Sequence, residues 1–501
     1  MYYEKEEQER SYCRSVVFLL IMAIQDLYPD AEVIVRFSVN KGLYCDVTMN
    51  GEDVLNESII NLVEKRMREI ISENLPIAKK SLLRADAVKL FKGKQSRQIA
   101  KANLIAALPQ ERVSIYFCDN FYDYLYGNMV KSTGEIDKFE LEYCKPGVLI
   151  RTPDGSGTIP RAVNQPKLMR TLYESKKWAS ILNCAFIPDL NRHIQHGKAG
   201  DIIRVSEALQ EKNIAEIADT IAKNINHARL VLIAGPSSSG KTSFAQRLNV
   251  QLKVHGLKPI SISLDDYFVD RVDTPLTPDG KYDYESIAAV DLNLFNKNIV
   301  ALLKGEEVML PRYSFITGNR DKMIGPIIIS KNQPIIVEGI HGLNEKLTTA
   351  VPRDEKFKIY VSALTQLNID AHNRIHTTDA RMLRRLVRDY KFRDAGALKT
   401  LRAWPDVRAG EENNIFPFQE EADAVFNSAL LYELAVLKKY AMPLLKQISE
   451  DEPEYKKARQ LLDFCPYFTD LNEEDEIPNN SILREFIGKS CFFTSSGELK
   501  A

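Results

Sequence analysis

Ten consecutive residues near the middle of the chain combine the residue types that can hold a phosphate. They are Ala234-Gly235-Pro236-Ser237-Ser238-Ser239-Gly240-Lys241-Thr242-Ser243. Gly235 and Gly240 permit backbone angles that are closed to other residues, so successive amide N–H groups can turn towards one anion. Lys241 can reach the outer phosphates, and the Thr242 hydroxyl can ligate Mg²⁺. We therefore predict that residues 235–243 bind the phosphates of a nucleoside triphosphate.

The residues on either side of this stretch are typical of a strand before it and a helix after it. Residues 230–233 are an apolar run, and Phe244, Leu248 and Leu252 recur at helical spacing. A helix that begins near Lys241 adds its positive dipole end to the phosphate site. Further apolar runs, separated by helical segments at 292–303 and 379–389, predict parallel strands at 259–264, 334–337, 357–361 and 424–426. The pattern predicts a doubly wound α/β domain, in which ligands bind at the carboxyl ends of the strands.

Acidic residues follow two of these strands. Asp265 and Asp266 come directly after one strand, and neighbouring side chains point in opposite directions there, so we expect one of them to face the phosphates. A carboxylate in that place could accept the proton of an attacking hydroxyl and help to hold Mg²⁺. Glu338 ends the run 335–337 and is expected in the Mg²⁺ shell. The alternatives are a turn-forming Asp pair and a capping Glu.

Arginines recur along one face of a later helix. Arg381, Arg384, Arg385 and Arg388 are spaced at i, i+3, i+4 and i+7, and Arg393 follows. Arginine suits bidentate phosphate contacts, so this cluster on a mobile segment would close over the transferred group and exclude water. The alternative is a solvated helix whose arginines pair with neighbouring aspartates.

Together these elements resemble the uridine kinase and phosphoribulokinase family of P-loop kinases over most of residues 229–445. The resemblance rests on seven ordered motifs, which are GPSSSGKT, Ser263-Leu264-Asp265-Asp266-Tyr267-Phe268, Tyr282-Asp283-Tyr284, Pro311-Arg312-Tyr313-Ser314-Phe315, Val337-Glu338-Gly339-Ile340, Arg384-Arg385-Leu386-Val387-Arg388-Asp389 and Ala422-Asp423-Ala424-Val425. It implies ATP as the phosphate donor, Mg²⁺ as the metal and a nucleoside such as uridine or cytidine as the acceptor, phosphorylated at its 5′-OH. It also implies Asp265 as the general base, Asp283 as the ligand of the ribose hydroxyls and Tyr313 in the wall of the acceptor pocket. Arg385, Arg388 and Arg393 would belong to the closing segment.

One position departs from the family pattern. Uridine kinases carry a histidine that helps to read the pyrimidine, and Gly318 stands in its place here. The departure puts base recognition in question and leaves a second hypothesis open, a kinase of another nucleoside or of a sugar phosphate.

The first half of the chain predicts an α+β domain. Helices are expected at 11–28, 58–74, 85–91 and 97–107, and strands at 32–39, 42–49 and 112–117. Residues 18–20, 43–47, 58–74, 132–134 and 139–141 resemble the editing-type domain of threonyl-tRNA synthetases. The metal-type positions of that domain fall on Arg14, Phe18, Leu125 and Met129, which are poor zinc ligands.

The first histidine of the chain is His193, so we predict that the first half has no histidine-based hydrolytic centre and has a structural or regulatory role. Basic residues Lys79, Lys80, Lys92, Lys94 and Arg97 could contact RNA weakly, although a solvated face is the simpler interpretation. This leaves a third hypothesis, a nucleotide-switched RNA-binding or regulatory protein.

Length and composition frame these expectations. A chain of 501 residues predicts several domains, and the boundaries expected are 1–190, a linker and docking helix at 191–228, 229–445 and an extension at 446–501. The net charge of −1 gives no reason to expect broad nucleic-acid or membrane binding, and an oligomer is left open.

Seven scattered cysteines and a charged start predict a reduced, cytoplasmic protein. His193 and His196 form a weak candidate metal pair. Residues 402–405 and 415–418 are expected to form closing loops, in which Trp404 could either stack on a base or anchor its loop.

Overall fold

The computed structural model describes residues 2–92, 99–277, 280–314 and 317–499. The chain forms two compact units, and each unit combines separate stretches of sequence. The first comprises Met1–Ala199, Thr365–His376 and Ile448–Leu471, and the second comprises Gly200–Leu364, Thr377–Gln447 and Asn472–Ala501. The boundaries expected from the sequence stay a prediction. Lys94 and Arg97, and Phe315 of the fourth kinase-like motif, lie outside the described residues.

The helices of the described residues are, in chain order, α1 (Tyr2–Leu27), α2 (Glu57–Ser72), α3 (Arg84–Lys92), α4 (Ile99–Ala107), α5 (Pro166–Ile181), α6 (Ile187–Gln195), α7 (Ala199–Lys223), α8 (Lys241–Val254), α9 (Leu292–Lys304), α10 (Thr377–Phe392), α11 (Ala397–Asn414), α12 (Glu433–Leu445), α13 (Tyr455–Phe464) and α14 (Arg484–Ile487). The strands are β1 (Ala31–Val39), β2 (Gly42–Met49), β3 (Glu52–Asp53), β4 (Ala78–Leu83), β5 (Arg112–Cys118), β6 (Phe121–Asp123), β7 (Glu140–Cys144), β8 (Gly147–Arg151), β9 (Leu230–Ala234), β10 (Ile260–Ser263), β11 (Val308–Ser314), β12 (Asn319–Ile327), β13 (Ile335–Glu338), β14 (Lys356–Ser362) and β15 (Ala424–Asn427).

The first unit is built on an antiparallel sheet of order β1-β2-β8-β7, with β3 paired to β2, and on a second sheet of order β4-β5-β6. Alternate residues of β1 are buried, so one face of that strand contributes to the core. The apolar run 16–24 of α1 is fully buried in the same core. These elements confirm the predicted α+β unit.

A second-half segment supplies a histidine to this first unit. His372, in the stretch Thr365–His376, places its Nδ1 2.5 Å from Asp123 Oδ2. Lys101 Nζ also contacts Asp123 and lies 3.0 Å from His372 Nδ1. Although burial opposes ionisation, Lys101 and His372 lower the pKa of Asp123 to about 2. The prediction from the sequence concerned the first half of the chain, whereas the first unit also includes a histidine from residues 365–376.

The second unit contains a five-stranded sheet of order β10-β13-β9-β14-β15 in which all neighbours run parallel. β9 is buried along its whole length, as its unbroken apolar sequence predicts for a covered parallel strand. Because β9 lies in the middle, the loop that leaves it opens at the centre of the carboxyl edge of the sheet. This confirms the predicted doubly wound fold.

Two features of the second unit differ from expectation. An antiparallel ribbon of β11 and β12 stands apart from the parallel sheet. Residues 402–405, expected in a loop, lie inside α11, which continues past Pro405. Trp404 is fully buried and packs its ring under the Arg381 guanidinium, 5.4 Å from the ring centre, so it anchors α11 and is not accessible to a base.

None of the helices in the described ranges is both long enough and apolar enough to cross a membrane.

Candidate functional site

The loop between β9 and α8 has the shape that a phosphate cradle requires. Ser238 and Gly240 have φ angles of 59° and 83°, in the left-handed region, and these angles turn the backbone sharply before α8 begins. A Cβ on Gly235 would collide with the carbonyl oxygen of Val361, so only glycine allows β9 and β14 to approach each other here. The first N–H groups of α8 point into the same space and have no acceptor within the helix.

Buried charged residues hold the loop at Ser237. Its N–H donates to Glu411 Oε1 at 3.0 Å, and its carbonyl oxygen accepts from Arg381 Nε at 3.0 Å. Arg381 also pairs with Glu411, whose other oxygen accepts from Arg408 at 2.8 Å. Glu411 and Arg381 are each 1% exposed, so the network works where water cannot compete.

Arg384 holds the next residue of the loop. Its Nη1 donates to the Ser238 carbonyl oxygen at 3.3 Å and its Nη2 pairs with Glu433 at 2.5 Å. The sequence grouped Arg381 and Arg384 with the arginines of a mobile, water-excluding segment. That interpretation is wrong for these two residues because both are fully buried and bind loop carbonyls.

Lys241 and Thr242 begin α8 beside the cradle. Lys241 Nζ donates to the carbonyl oxygens of Gly235 and Pro236, at 2.9 and 3.3 Å. Desolvation lowers the pKa of Lys241. The Thr242 hydroxyl lies 3.2 and 3.1 Å from the two carboxylate oxygens of Glu338, at the end of β13.

Asp265 and Glu338 follow the neighbouring strands β10 and β13 and line the same cavity as Thr242. The cavity has a volume of about 700 Å³. Asp265 is exposed to the cavity, and desolvation by the groups packed around it raises its pKa, against the attraction of Lys241 and Arg393. Burial likewise raises the pKa of Glu338 to about 7, against the attraction of Lys241. Asp266 faces elsewhere, since its carboxylate binds Arg312 Nη1 at 2.8 Å and accepts from the Tyr313 N–H at 3.4 Å.

Three arginines of the predicted site lie near the cavity or the loop. Arg385 Nη1 donates to the Ser237 hydroxyl at 2.6 Å. Arg388 and Arg393 line the cavity, and Arg388 is held by Asp389 at 2.8 and 2.9 Å. The positive charge of Arg388, together with burial, lowers the pKa of Arg393 to about 10. Such crowded cations are stabilised when a polyanion lies between them.

Asp283 and Tyr313 do not line this cavity. Asp283 Oδ1 accepts from the N–H groups of Glu285 and Ser286, both at 3.1 Å, and so caps a turn. Tyr313 is buried and packs edge-on against Phe268, with ring centres 5.7 Å apart. The structure therefore does not bring these two residues together with Asp265 around one cavity.

The local backbone and its neighbours favour glycine at position 318. Its φ angle is +77°, and a side chain there would meet the Arg271 guanidinium, with Nε 2.7 Å from the added Cβ. Its carbonyl oxygen also accepts from the Arg271 N–H at 2.8 Å. A histidine at this position would be strained and would have to displace Arg271.

Sequence reasoning missed Glu285, Glu411 and Glu485. Burial and the nearby Glu411 raise the pKa of Glu285 to about 7. Glu485 Oε2 accepts from the Ser243 N–H at 3.2 Å and from its hydroxyl at 2.8 Å. No local signal marks Glu411 and Glu485, because each meets the loop through a contact far along the chain.

Comparison with known families supports the assignment of the second unit. Residues 230–431 match the model of the Phosphoribulokinase / Uridine kinase family. The phosphate loop, Asp265, Glu338 and the arginines of α10 all lie inside the matched region. This region is therefore similar to the P-loop kinases of that family.

The solved structures that match part of this chain include a Possible Uridine Kinase from Bacillus stearothermophilus. It is 18% identical, covers 42% of this chain and 97% of its own, and has a TM-score of 0.28. The YGR205w protein is 15% identical, covers 43% of this chain and 88% of its own, and has a TM-score of 0.29.

The N-terminal half matches threonine–tRNA ligases. The ligase of Listeria monocytogenes serotype 4a is 35% identical over 128 residues, which are 25% of this chain and 19% of the ligase. The ligase of Rubrobacter xylanophilus is 32% identical over 128 residues, or 26% of this chain and 19% of the ligase. The chain thus spans about a fifth of the length of these curated relatives. Phe18 and Leu125, which take two of the metal-type positions, are buried in the apolar core, and Met129 packs against it.

The donor set at the loop fits a hard cation such as Mg²⁺. Thr242, Glu338 and Asp265 supply hydroxyl and carboxylate oxygens, which are the ligands that Mg²⁺ prefers. Within the described ranges, no group of three or more His, Cys, Asp or Glu could hold a metal by itself. A cation here therefore needs phosphate oxygens as further ligands, as is usual where Mg²⁺ is bound together with its nucleotide.

The raised pKa of Glu338 predicts how stability depends on pH. Its pKa is about 7 in the folded protein, against an ordinary value of 4.5, so the folded state retains a proton that the unfolded state releases between these values. The contribution of this group to stability is therefore fully present below about pH 4.5 and is lost as the pH rises through 7. Glu338→Gln should raise the melting temperature relative to the unsubstituted protein at pH 8, in the absence of nucleotide and Mg²⁺, and the difference should shrink towards pH 5. Equal differences at both pH values, measured by differential scanning fluorimetry, would contradict this prediction.

Proposed function

We propose that this protein transfers the terminal phosphoryl group of ATP to a hydroxyl group, with the 5′-OH of a nucleoside such as uridine or cytidine as the leading acceptor. One observation carries the proposal. Asp265 and Glu338 end neighbouring parallel strands and share a cavity with Thr242, directly beside a glycine-bounded loop and Lys241. This arrangement supports a base, a cation site and a phosphate cradle within one site, and the family match supports the same reaction class.

The loop and Lys241 bind the donor. Residues 235–243 are the ATP-binding segment, and their N–H groups together with the start of α8 complement the negative charge of the phosphates. Lys241 exchanges its contacts with the Gly235 and Pro236 carbonyl oxygens for a phosphate oxygen. Because Arg381 and Arg384 already hold the carbonyl groups of residues 237 and 238, the backbone there keeps its conformation when the donor binds.

Asp265 accepts the proton of the acceptor hydroxyl. Its raised pKa makes it a stronger base than a carboxylate in water, and its place at the end of β10 faces the phosphate cradle. Thr242 and Glu338, with Asp265, hold Mg²⁺, which neutralises charge on the outer phosphates when it is bound. Arg385, Arg388 and Arg393 balance the charge on the transferred group and keep water away from it.

The acceptor is assigned through the family resemblance. Asp283 would bind ribose hydroxyls and Tyr313 would form a wall of the acceptor pocket. Neither residue is among those that line the cavity of about 700 Å³. Gly318 stands at the position of the family's base-reading histidine, and the Arg271 guanidinium fills the space where a side chain would lie. Other nucleosides and sugar phosphates therefore form a second class of possible acceptor.

Replacing the base should separate binding from transfer. Asp265→Asn removes the proton acceptor but preserves its size, so we expect turnover to fall by roughly 10²–10⁴-fold while ATP affinity changes little. Lys241→Ala should lose transfer together with much of the ATP affinity. Turnover is measured by coupled release of ADP and affinity by isothermal titration calorimetry, with the exposed Asp273→Asn as the matched control. Full activity of Asp265→Asn would remove the base assignment.

A panel of acceptors tests the substrate class. Uridine, cytidine, purine nucleosides and sugar phosphates are each incubated with ATP and Mg²⁺, and acceptor-dependent ADP formation is measured. We expect the highest kcat/KM for a pyrimidine nucleoside, with the product phosphorylated at the 5′-OH. Turnover only with a sugar phosphate would replace the leading acceptor with the second class.

The match to threonine–tRNA ligases favours a further role for the first unit, which is RNA contact. Lys79 and Lys80 lie on the exposed strand β4 and supply positive charge there. We expect weak, salt-sensitive retention of tRNA in filter-binding assays, reduced by the double substitution Lys79→Ala/Lys80→Ala. Absence of retention at low salt, with and without ATP, would remove RNA contact from the proposed function.

A further inference from the structure

A short C-terminal segment, residues 482–488, packs directly on the phosphate loop. The Ile482 side chain occupies the space where a Cβ of Gly240 would lie. The Phe486 ring is fully buried and lies 5.0 Å from the guanidinium carbon of Arg384, the residue that holds the Ser238 carbonyl. These two apolar contacts fix the segment against the cradle, although it lies beyond the region that matches the kinase family.

Between these two contacts, Glu485 occupies an anion position of the loop. Its Oε2 accepts from the Ser243 N–H at 3.2 Å and from the Ser243 hydroxyl at 2.8 Å. Ser243 is the third residue of α8, so its N–H is among those that have no acceptor within the helix. A carboxylate at this place makes the contact that a phosphate oxygen would make at the positive end of the helix.

The residues that follow Glu485 close the same space. Lys489, Ser490, Phe493 and Thr494 line the cavity together with Thr242, Asp265 and Glu338. The segment is tied to α10 by Lys391, whose Nζ donates to the Ile487 carbonyl oxygen at 2.6 Å. The C-terminal segment therefore forms part of the wall of the proposed donor site.

We infer that Glu485 is a built-in competitor of the nucleotide, and that donor binding requires its carboxylate to leave Ser243. The inference rests on the proposed function, because it assumes that phosphates bind at residues 235–243. One N–H cannot serve a carboxylate and a phosphate oxygen equally well, and two anions at the same helix end repel each other. Only molecules in which this contact is broken can bind the nucleotide, so the apparent affinity falls in proportion to their fraction. It makes the C-terminal segment a control element of the phosphate loop.

The test compares two substitutions that each remove one negative charge, one inside the segment and one beyond it. Glu485→Gln removes the anion at Ser243, whereas Glu498→Gln changes an exposed residue that does not line the cavity. Affinity for ATP with Mg²⁺ is measured by isothermal titration calorimetry on the full-length chain. We expect about tenfold tighter binding for Glu485→Gln, in line with the loss of one charge-assisted hydrogen bond, and unchanged binding for Glu498→Gln. Equal or weaker binding by Glu485→Gln, with an unchanged melting temperature, would overturn the inference.

Hydrogen exchange separates displacement from a simple charge effect. In the unsubstituted protein, ATP should speed amide exchange in residues 482–499, and in Glu485→Gln that exchange should already be fast without ATP. Tighter binding with no change in exchange would mean that charge alone acts, and would overturn the displacement. If neither protein bound ATP, the proposed donor site would fall with the inference; if both bound it equally, only the inference would fall.

Discussion

The site depends on the clamp that Glu411, Arg381 and Arg384 form on residues 237 and 238. A loop of exposed N–H groups tends to collapse onto its own carbonyls or onto water unless something fixes it. Here buried guanidinium groups bind the carbonyl oxygens and a buried carboxylate binds one N–H. Each charge is balanced by another, because an unpaired charge at this depth would cost several kcal/mol. The remaining N–H groups are thereby left facing the space where phosphates would lie.

The same shielding from water sets the chemistry of the site. It raises the pKa of Asp265, Glu338 and Glu285 and lowers that of Lys241, so the charged forms of these four groups are disfavoured. Buried ionisable groups of this kind lower the free energy of unfolding, and bound ligands of opposite charge raise it again. A phosphate chain with its cation would supply both signs at once. The unfavourable electrostatic free energy of the site without ligand would thus be relieved on binding, and this relief would contribute to the affinity for the proposed substrates.

The sequence predicted most of the second unit because its information is local. Each parallel strand appears as an apolar run, and Asp265 and Glu338 are recognisable because they directly follow such runs. The clamp was not predictable in this way. Arg381 and Arg384 look like a solvated stripe until Glu411 and Glu433, 30 and 49 residues later, are placed against them. The helix through Pro405 and the contact of Glu485 with Ser243 likewise depend on tertiary packing, which outweighs the local turn and charge signals.

The first unit is assembled from three separate stretches of sequence, and this affects both its folding during synthesis and the choice of fragments for expression. Its stretches Thr365–His376 and Ile448–Leu471 are separated from the rest of the unit by most of the second unit. On the ribosome, the N-terminal two hundred residues must therefore wait for residue 471 before their fold is complete. No single cut releases either unit whole, so a gene fragment that ends at the apparent junction yields a protein that lacks part of its own core.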